Sequence, residues 1–479
     1  MRTHKKILAA AACCTAFPSS AVYLDPDGLG QALIYPYYTT RSDEAGNSFN
    51  TYLSVVNTDS VGKAVRVRFL EGAAAREVAS FNVFLAPGDM WTGAVVADGD
   101  GAKVITADRS CTEPAFATGG GGLPEFALFL RTPPVATDNA PAREGFVEMI
   151  EMATIKAGSP TELAITQTGG GPSDCARVQG DPAVFAIDLD APRGGLMGTL
   201  TLINVASGRD ATLNAEALSA LTTRAFYRPA SDPYVTYTAP EVTPTSVITT
   251  GGKRYRLAWT RGVDAVTSVL MQSWTSNEYV LDPTTASLTD WVVTMPTRQF
   301  YRRAEDADPP FVTDSNNRRD RPQCETNGVR YFDREESAGA SLPPDLGGPQ
   351  IPPQPASCYS ATVWTPFNGY PYTRSSLLGS ANGETLHITD AFRAGRIWMF
   401  PQGNFAAEPG MMASAASTVT DVATGTTSAG AMFIEGLPIV GFVARSFSNG
   451  SLMCASDACQ GNYASAFPHK TLRSILSFP

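Results

Sequence analysis

The sequence predicts an all-β protein built from two, or in an alternative count three, Ig-like antiparallel β-sandwich domains with long loops. Apolar and polar residues alternate with a period of two, as where Arg66 and Arg68 separate Val65, Val67 and Phe69. That pattern is typical of strands with one buried face and one wet face. The 42 glycines and 35 prolines supply frequent turns, and the chain shows no long amphipathic helix.

The clearest strands lie between Asn50 and Trp91. The run Leu53–Val56 ends at Asn57, Thr58, Asp59 and Ser60, which favour a turn, so the next strand returns as a hairpin. Short apolar runs at Phe81–Leu85 and Trp91–Val96 follow at the spacing of a sandwich. Residues 42–190 are therefore predicted to form the first β-sandwich.

A second β-sandwich is predicted to begin at residue 191. Leu200–Asn204 matches Leu53–Asn57 position by position, and each run precedes a turn of small residues, which suggests an internal repeat. The alternative is that any two hairpins share such features. Residues 191–301 form the first part of this second sandwich, with one further strand predicted at Ser268–Trp274.

Composition changes sharply after residue 301. Residues 302–357 are predicted to be a charged, proline-rich insertion that buries too little apolar surface to order itself. Residues 358–479 are predicted to be a C-terminal β part, which completes the second sandwich or forms a third domain. Its most apolar run, Ile434–Val443, is expected to be a buried strand.

Residues 1–21 have the features of a secretory signal peptide. A basic start precedes an apolar run from Ile7 to Phe17, and Ser19 and Ala21 suit cleavage before Val22. Lipoprotein processing at Cys13 is disfavoured because Ala10 occupies the position of the usual leucine. The apolar run is too short to span a membrane, and no later stretch has the roughly 18 apolar residues that a membrane helix needs. The expected location is secreted, extracellular or on the cell surface, without a transmembrane segment.

Six cysteines remain after removal of the signal peptide, an even number that indicates disulfides in an exported chain. The sequence alone leaves 15 connectivities open. Neighbours in order are favoured because each pair brackets a loop-like segment, and each bond would add roughly 2 to 4 kcal/mol of stability. The predicted pairs are Cys111 with Cys175, Cys324 with Cys358, and Cys454 with Cys459.

Charge and motifs exclude several classes of function. A net charge of −10 and a pI near 5.0 argue against nucleic acid as a partner. After signal removal the only histidines are His387 and His469, and no GxSxG motif accompanies them. The prediction is a protein that is not an enzyme, with no catalytic, cofactor-binding or metal-binding residues; a secreted hydrolase remains a weaker alternative.

Two further features have a structural and a functional interpretation. The motifs DPDG at 25–28 and DGDG at 98–101 contain carboxylates that suit Ca²⁺, but neither continues into a complete calcium loop, so turns are favoured. Tryptophans stack on sugars in some binding proteins. Here Trp91, Trp274 and Trp291 lie in apolar strand runs and are expected in the core.

The N-terminal strand segment, residues 22–41, contains a candidate assembly strand made of Leu33, Ile34, Tyr35 and Tyr37. The segment 31–38 is uncharged, and Pro36 lacks the amide proton that a central strand donates, so an edge or exchanged position is expected. Such a strand suits donation into the open sandwich of a neighbouring copy. The alternative is that it closes its own sandwich in cis.

Several phrases resemble a family of uncharacterised, secreted, β-rich proteins of Gram-negative bacteria, described as cell-surface or surface-layer-like. The resemblance covers most of the chain and implies an exported surface component, with no catalytic residues to carry over. The phrases are GQALIYPYYT at 30–39, SVVNTDSVGKAVRVRFLEG at 54–72, FNVFLAPGDMWTG at 81–93, TDWVVTMPTRQFY at 289–301 and GLPIVGF at 436–442.

The predicted function is an extracellular structural subunit that self-assembles into a surface layer or filament, with strand exchange between subunits as a candidate mechanism. Its expected partners are copies of itself. The alternative is a monomeric adhesin or carbohydrate-binding surface protein, for which cell-surface glycans are the partners.

Overall fold

The computed structural model describes residues 20–129, 139–301, 308–311, 324–340, 356–368, 376–401, 409–454 and 457–478, with the side chains of 340 and 450–460 left out. The all-β prediction is confirmed, because 53% of the structure is strand and 9% is helix. Within the described ranges, no helix combines the length and apolar character needed to cross a membrane.

The strands before residue 220 are β1 (Tyr23–Leu24), β2 (Ala32–Thr39), β3 (Asn50–Asn57), β4 (Gly62–Glu71), β5 (Glu77–Leu85), β6 (Met90–Asp98), β7 (Gly101–Ile105), β8 (Cys111–Glu113), β9 (Ala117–Thr118), β10 (Pro124–Leu128), β11 (Glu144–Ile155), β12 (Leu189–Asp190), β13 (Leu196–Asn204), β14 (Arg209–Asn214) and β15 (Glu216–Ser219).

The later strands are β16 (Thr245–Thr250), β17 (Lys253–Ala258), β18 (Met271–Gln272), β19 (Trp274–Val280), β20 (Leu288–Thr294), β21 (Glu325–Asp333), β22 (Ala338–Ala340), β23 (Ala356–Ser357), β24 (Ala361–Phe367), β25 (Gly383–His387), β26 (Ala394–Pro401), β27 (Gly410–Ala413), β28 (Thr418–Asp421), β29 (Thr427–Ala429), β30 (Ala431–Glu435), β31 (Leu437–Pro438), β32 (Val440–Cys454), β33 (Asp457–Pro468), β34 (Lys470–Leu472) and β35 (Ile475–Phe478).

The α-helices are α1 (Pro160–Ile165), α2 (Ala176–Gln179) and α3 (Gly262–Leu270), and short 3-10 turns lie at Ala140–Arg143, Pro182–Val184, Ala186–Asp188, Pro283–Thr285 and Arg298–Phe300. Helix α1 begins where the Ser159 side chain accepts a hydrogen bond from the backbone N–H of Glu162, with Pro160 at the first helical position.

The N-terminal half is a β-sandwich of two antiparallel sheets. The inner sheet has the order β1-β15-β2-β11-β4-β5-β8, with β12 beside β11, and the outer sheet has the order β14-β13-β3-β6-β7-β10-β9. Their facing sides form one apolar core, in which Tyr35, Val67 and Trp91 are fully buried. Side chains of both sheets interdigitate there as in other sandwiches.

The inner sheet is buried on both faces. Arg66 and Arg68 point away from the sandwich core but are only 0% and 4% exposed, so the prediction of a wet second face is wrong. Loop 220–242 covers this face, and Arg66 donates to three of its backbone carbonyls. Arg68 lies 2.6 Å from Glu148, whose pKa burial raises to about 7 while Arg68 opposes that rise. These hydrogen bonds and the ion pair offset the free-energy cost of burying the charged groups.

The predicted start of a second sandwich at residue 191 is also wrong. Strand β13 lies antiparallel beside β3, with Leu200 directly opposite Leu53, and β14 follows it in the outer sheet. The two halves of the suspected repeat are therefore neighbours in one sheet. Both strands face the same core and alternate inward and outward residues in the same way, which explains why their sequences resemble each other.

The C-terminal half consists of further sheets, which pack on the covered face of the inner sheet and also reach the sandwich core through Val292, Val363 and Phe442. Their orders are β25-β24-β20-β32-β33, β22-β21-β26-β19-β34 with β23 beside β21, β16-β17-β28-β29, β27-β30-β35 and β18-β31. Strands from 245–294 pair with strands beyond residue 360 in several of these sheets, so the two segments form one unit. Ile34 and Ile150 of the inner sheet join its core.

Part of the predicted insertion is ordered. Strand β21 pairs with β26 from Asn327 to Asp333, so the prediction that residues 302–357 lack structure is wrong for 324–340. The reason is local alternation, which places Val329 and Tyr331 in the core at 2% and 5% exposure. Segments 302–307, 312–323 and 341–355 lie outside the described residues.

The strand predicted at Ser268–Trp274 is in part a helix. Residues up to Leu270 belong to α3, and strand structure begins only at Met271. Every residue from Val263 to Leu270 is buried. A helix surrounded by core loses the polar face that reveals its period, and burial outweighs the modest helix propensity of its valines and threonine.

Candidate functional site

The candidate assembly strand lies inside its own sandwich. Strand β2 pairs with β15 on one side and β11 on the other, and all eight of its residues are buried. Leu33, Tyr35 and Tyr37 face the sandwich core, whereas Ile34 faces the second core. The expectation of an edge position is therefore wrong for this chain, and the strand closes its sandwich in cis.

Tyrosine hydroxyls anchor β2 at successive positions. Tyr35 donates to the carbonyl of Ser54 at 2.7 Å, and Tyr37 donates to the carboxylate of Glu144 at 2.8 Å. The same carboxylate accepts hydrogen bonds from the Ser380 hydroxyl and the Ala381 backbone N–H. Glu144 thus ties β2 and β11 to a loop of the C-terminal half, which makes withdrawal of the strand costly.

Pro36 is accommodated by an irregularity in the sheet. Tyr35 lies opposite Val147 and Tyr38 opposite Gly145, so two residues of β2 face one residue of β11 at a β-bulge. The pairing with β15 has already ended at Ile34. The missing amide proton therefore interrupts no ladder hydrogen bond, which is why a central strand tolerates this proline.

Two of the three predicted disulfides are present. Cys111 bonds to Cys175 and Cys324 bonds to Cys358, with sequence separations of 64 and 34 residues. The first joins β8 of the inner sheet to α2. The prediction for Cys454 and Cys459 concerns side chains outside the described set, although β32 and β33 form a ribbon there. The two bonds agree with an oxidising compartment.

The motifs considered for chemistry have structural roles. Asp25 of DPDG accepts hydrogen bonds from the backbone N–H groups of Asp27 and Leu29, as a turn requires. His387 lies 3.0 Å from Asp390 near the surface. His469 is buried and stacks on Trp291 with ring centroids 4.6 Å apart. Among the described residues, no three His, Cys, Asp or Glu side chains form a metal-binding group.

His469 is expected to make stability depend on pH. Its Nε2 donates to the Val292 carbonyl at 3.0 Å, Nδ1 lies 3.2 Å from the Asn277 amide, and burial lowers its pKa from 6.5 to about 4. The unfolded chain gains this proton first, so the contribution to stability is full above pH 6.5 and falls by about 3 kcal/mol towards pH 4.

Denaturant unfolding of the wild type and of His469→Gln, measured across this pH range, checks the prediction. The wild type should lose stability relative to His469→Gln as the pH falls from 6.5 towards 4. Parallel curves for the wild type and His469→Gln would show that His469 titrates at an ordinary pKa.

The sheet β27-β30-β35, here called the edge sheet, presents an apolar outward face. Met412, Phe433 and Leu476 lie directly opposite one another on its three strands, and Phe478 extends the row. Met412, Leu476 and Phe478 are 56%, 45% and 45% exposed. The opposite face is buried through Ile434 and Met432. This small sheet is therefore anchored on its buried side, and its outward side is apolar apart from Glu435 at the end of β30.

Among the described residues, β35 has no strand partner beyond β30 and so forms one open edge of this sheet. It ends the order β27-β30-β35, and its sequence Ile-Leu-Ser-Phe carries no charge. Arg473 fixes the approach to the strand by donating to the carbonyls of Met271 and Val269. Solitary proteins usually protect such edges with charge, proline or a covering loop.

A second outward surface, here called the aromatic–cationic face, lies on the sheet β22-β21-β26-β19-β34. Trp274 and Trp398 approach to 5.7 Å between ring centroids, and Phe332 lies 5.1 Å from Trp398. The Arg396 guanidinium lies 4.7 Å from the Phe332 ring and 5.0 Å from Trp398. The prediction that Trp274 is core is wrong, because β19 turns it outward, whereas Trp91 and Trp291 are buried as predicted.

A third surface, here called the acidic knob, comprises residues 156–190 around α1 and α2. Leu163, Val184 and Ile187 are 61%, 54% and 78% exposed. The segment carries five carboxylates against two cations. Its interior is held by Asp188, which accepts from Thr161 at 2.5 Å and from Arg177 at 3.0 Å, and by the Cys111–Cys175 bond. Exposed apolar residues therefore stand on a rigid, acidic support.

Comparison of the chain with protein-family models, curated proteins and solved structures finds no match. The resemblance to exported surface proteins therefore stays a prediction.

Sequence reasoning missed the three outward surfaces. Two of them are assembled from separated segments, such as the edge sheet, whose three strands lie at 410–413, 431–435 and 475–478. The acidic knob is one continuous segment, but its sequence carries no periodic apolar pattern that marks an exposed surface. The one signal available in the sequence was the uncharged run at 475–478, which ends the described chain and alternates Leu476 with Phe478 on one face.

Proposed function

We propose that the protein is an exported structural subunit that associates with copies of itself in a surface layer or filament. The observation that carries the proposal is the open, uncharged edge of β35 beside an exposed apolar face. An edge of this kind offers unpaired backbone groups to another strand, and its apolar neighbours gain from being covered.

A second copy of β35 is the occupant that fits this edge. Two copies running antiparallel about a two-fold axis would join their edge sheets into one six-stranded sheet. Leu476 and Phe478 of both copies would then share one apolar surface, and no like charges would meet, because the strand has none. Backbone hydrogen bonds supply affinity, and the apolar row supplies register.

The proposal places the contact at β35 rather than at the N-terminal strand. Strand β2 is already paired with β11 along its length and with β15 over Ala32–Ile34. Exchange of β2 would therefore first have to break these pairings and the bonds of Tyr35 and Tyr37. Pairing through β35 breaks nothing in the folded subunit. Exchange of β2 is therefore not needed for association.

The test compares Leu476→Lys/Phe478→Lys with the wild type by light scattering in about 0.5 M NaCl, where the Debye length is only a few ångströms and charge-based contacts are screened. The wild type should be a dimer, and the lysine variant a monomer, because charged strands repel at a shared edge.

The matched control is Val205→Lys, which adds a charge at a loop residue that is 73% exposed and distant in sequence from the edge sheet. It should dimerise like the wild type. Dimers of the Leu476→Lys/Phe478→Lys variant, or a monomeric wild type under the same conditions, would contradict pairing through β35.

A further inference from the structure

We infer that the aromatic–cationic face of one copy binds the acidic knob of the next, which adds a head-to-tail contact to the pairing through β35. The inference rests on the proposed function, because it assigns a second contact to the same self-associating subunit. A two-fold contact alone ends at a dimer, whereas a layer or filament needs another contact that propagates.

The aromatic–cationic face has cations that the folded chain leaves available. In the described part of the chain, neither Arg330 nor Arg396 forms an ion pair, because Glu278, which lies opposite Arg396, pairs with Arg445 at 2.7 Å instead. Lys470 lies opposite Ser276 on the same outward side. The guanidinium of Arg396 is held against two rings, so little freedom is lost when it binds an acceptor.

The aromatic side chains of this face are not used by the core. Phe332, Trp398 and Trp274 are partly exposed, and none of them packs against either buried cluster. Tryptophan and arginine side by side are the residues most enriched at the energetic centres of protein interfaces. This mixture of aromatic and cationic residues therefore favours a protein partner over a partner that binds by charge alone.

The acidic knob supplies the complementary chemistry. Leu163, Val184 and Ile187 can cover the rings, while the exposed carboxylates of Asp174 and Asp181 can meet the free guanidinium groups. The surplus of acidic residues in 156–190 opposes the cations of the other face. Potentials of opposite sign steer two such surfaces together and fix their orientation.

The two surfaces share no residue, and this determines the form of the assembly. A contact between different patches of identical subunits is heterologous, so each subunit that binds leaves one face and one knob free. Growth continues unless the rotation closes a ring. Head-to-tail chains that also pair through β35 would be linked side by side, as a layer requires.

The experiment uses the full chain carrying Leu476→Lys/Phe478→Lys, which removes pairing through β35. Sedimentation velocity in about 0.05 M NaCl, where charge interactions act over more than 10 Å, should show species that grow with concentration and shrink in about 0.5 M NaCl. Two further double variants are made in this background, Arg330→Glu/Arg396→Glu on the face and Asp174→Lys/Ile187→Lys on the knob. Each should weaken association by about 30-fold or more, because substitutions at the energetic centre of an interface have effects of this size.

A mixing step tests that the two surfaces bind each other. The face variant keeps a normal knob and the knob variant keeps a normal face, so an equimolar mixture should form a 1:1 dimer although each alone is a monomer. The control Lys253→Glu/Arg254→Glu makes the same charge change at exposed residues of β17 and should leave association unchanged.

The outcomes separate this inference from the proposed function. The Leu476→Lys/Phe478→Lys protein could stay monomeric at every concentration while the wild type dimerises in high salt. This result would overturn the head-to-tail contact but would agree with the proposed structural subunit. A wild type that is monomeric in both salts overturns both. If Arg330→Glu/Arg396→Glu abolishes binding of polygalacturonate but not self-association, the face serves an anionic polysaccharide and the inference is wrong.

Discussion

Deletion of residues 22–40 is expected to leave a chain that does not fold. The deletion removes β1 and β2, and β2 lies between β15 and β11 in the inner sheet with every residue buried. Both cores lose apolar side chains, since Leu33, Tyr35 and Tyr37 line one and Ile34 the other. The loss of several such residues, each worth about 2 to 5 kcal/mol, exceeds the usual stability of a domain.

Circular dichroism and hydrogen exchange of the deleted chain check this expectation, with the full chain from Val22 as the control. An unfolded or aggregated product supports closure in cis. A soluble, folded subunit that regains the synthetic 22–40 peptide and then polymerises would instead establish strand exchange between subunits.

Loss of the Cys111–Cys175 disulfide is expected to lower the free energy of unfolding by about 4 kcal/mol. The bond closes a segment with a sequence separation of 64 residues, and cross-links over such distances restrict the unfolded chain strongly. It also joins α2, within the acidic knob, to β8 at the edge of the inner sheet. Urea unfolding of Cys111→Ala/Cys175→Ala against the wild type measures the change.

The single variants Cys111→Ala and Cys175→Ala serve as controls. Either one removes the cross-link, so each should lose almost as much stability as the double variant, and thiol labelling should find one more free cysteine in each than in the wild type. Bonds of this kind usually contribute more than about 1 kcal/mol. A double variant whose free energy of unfolding lies closer than that to the wild-type value would show that this bond does not restrict the unfolded chain.

Local pattern was enough to predict strands but not their partners. The alternation at Val65 and Val67 identified β4 correctly, yet it gave no sign that Arg66 on the other face is buried as well. Period two reports which side chains share a face, and only the tertiary fold decides what covers that face. The same limit explains why β13 was assigned to a second sandwich rather than placed beside β3.

Pro36 and Trp274 show why the type of a single residue does not predict its position in the sheet or its burial. The rule that excludes proline from central strands holds only where its amide is needed, and a bulge opposite Gly145 and Val147 removes that need. Trp274 lies in an apolar run and was assigned to the core, but the run lies in a sheet whose outward side is aromatic. The two observed cysteine pairs, Cys111 with Cys175 and Cys324 with Cys358, could be predicted because each brackets one loop-like segment of the chain.

The measurement that tests the central claim most directly is the state of the full chain from Val22 in solution at about 0.05 M salt, where charged and apolar contacts both act. Negative-stain images, together with masses from sedimentation over a range of concentrations, should show ordered polymers that grow with concentration. Monodisperse single subunits at every concentration would contradict a self-assembling structural protein and favour a monomeric surface adhesin instead.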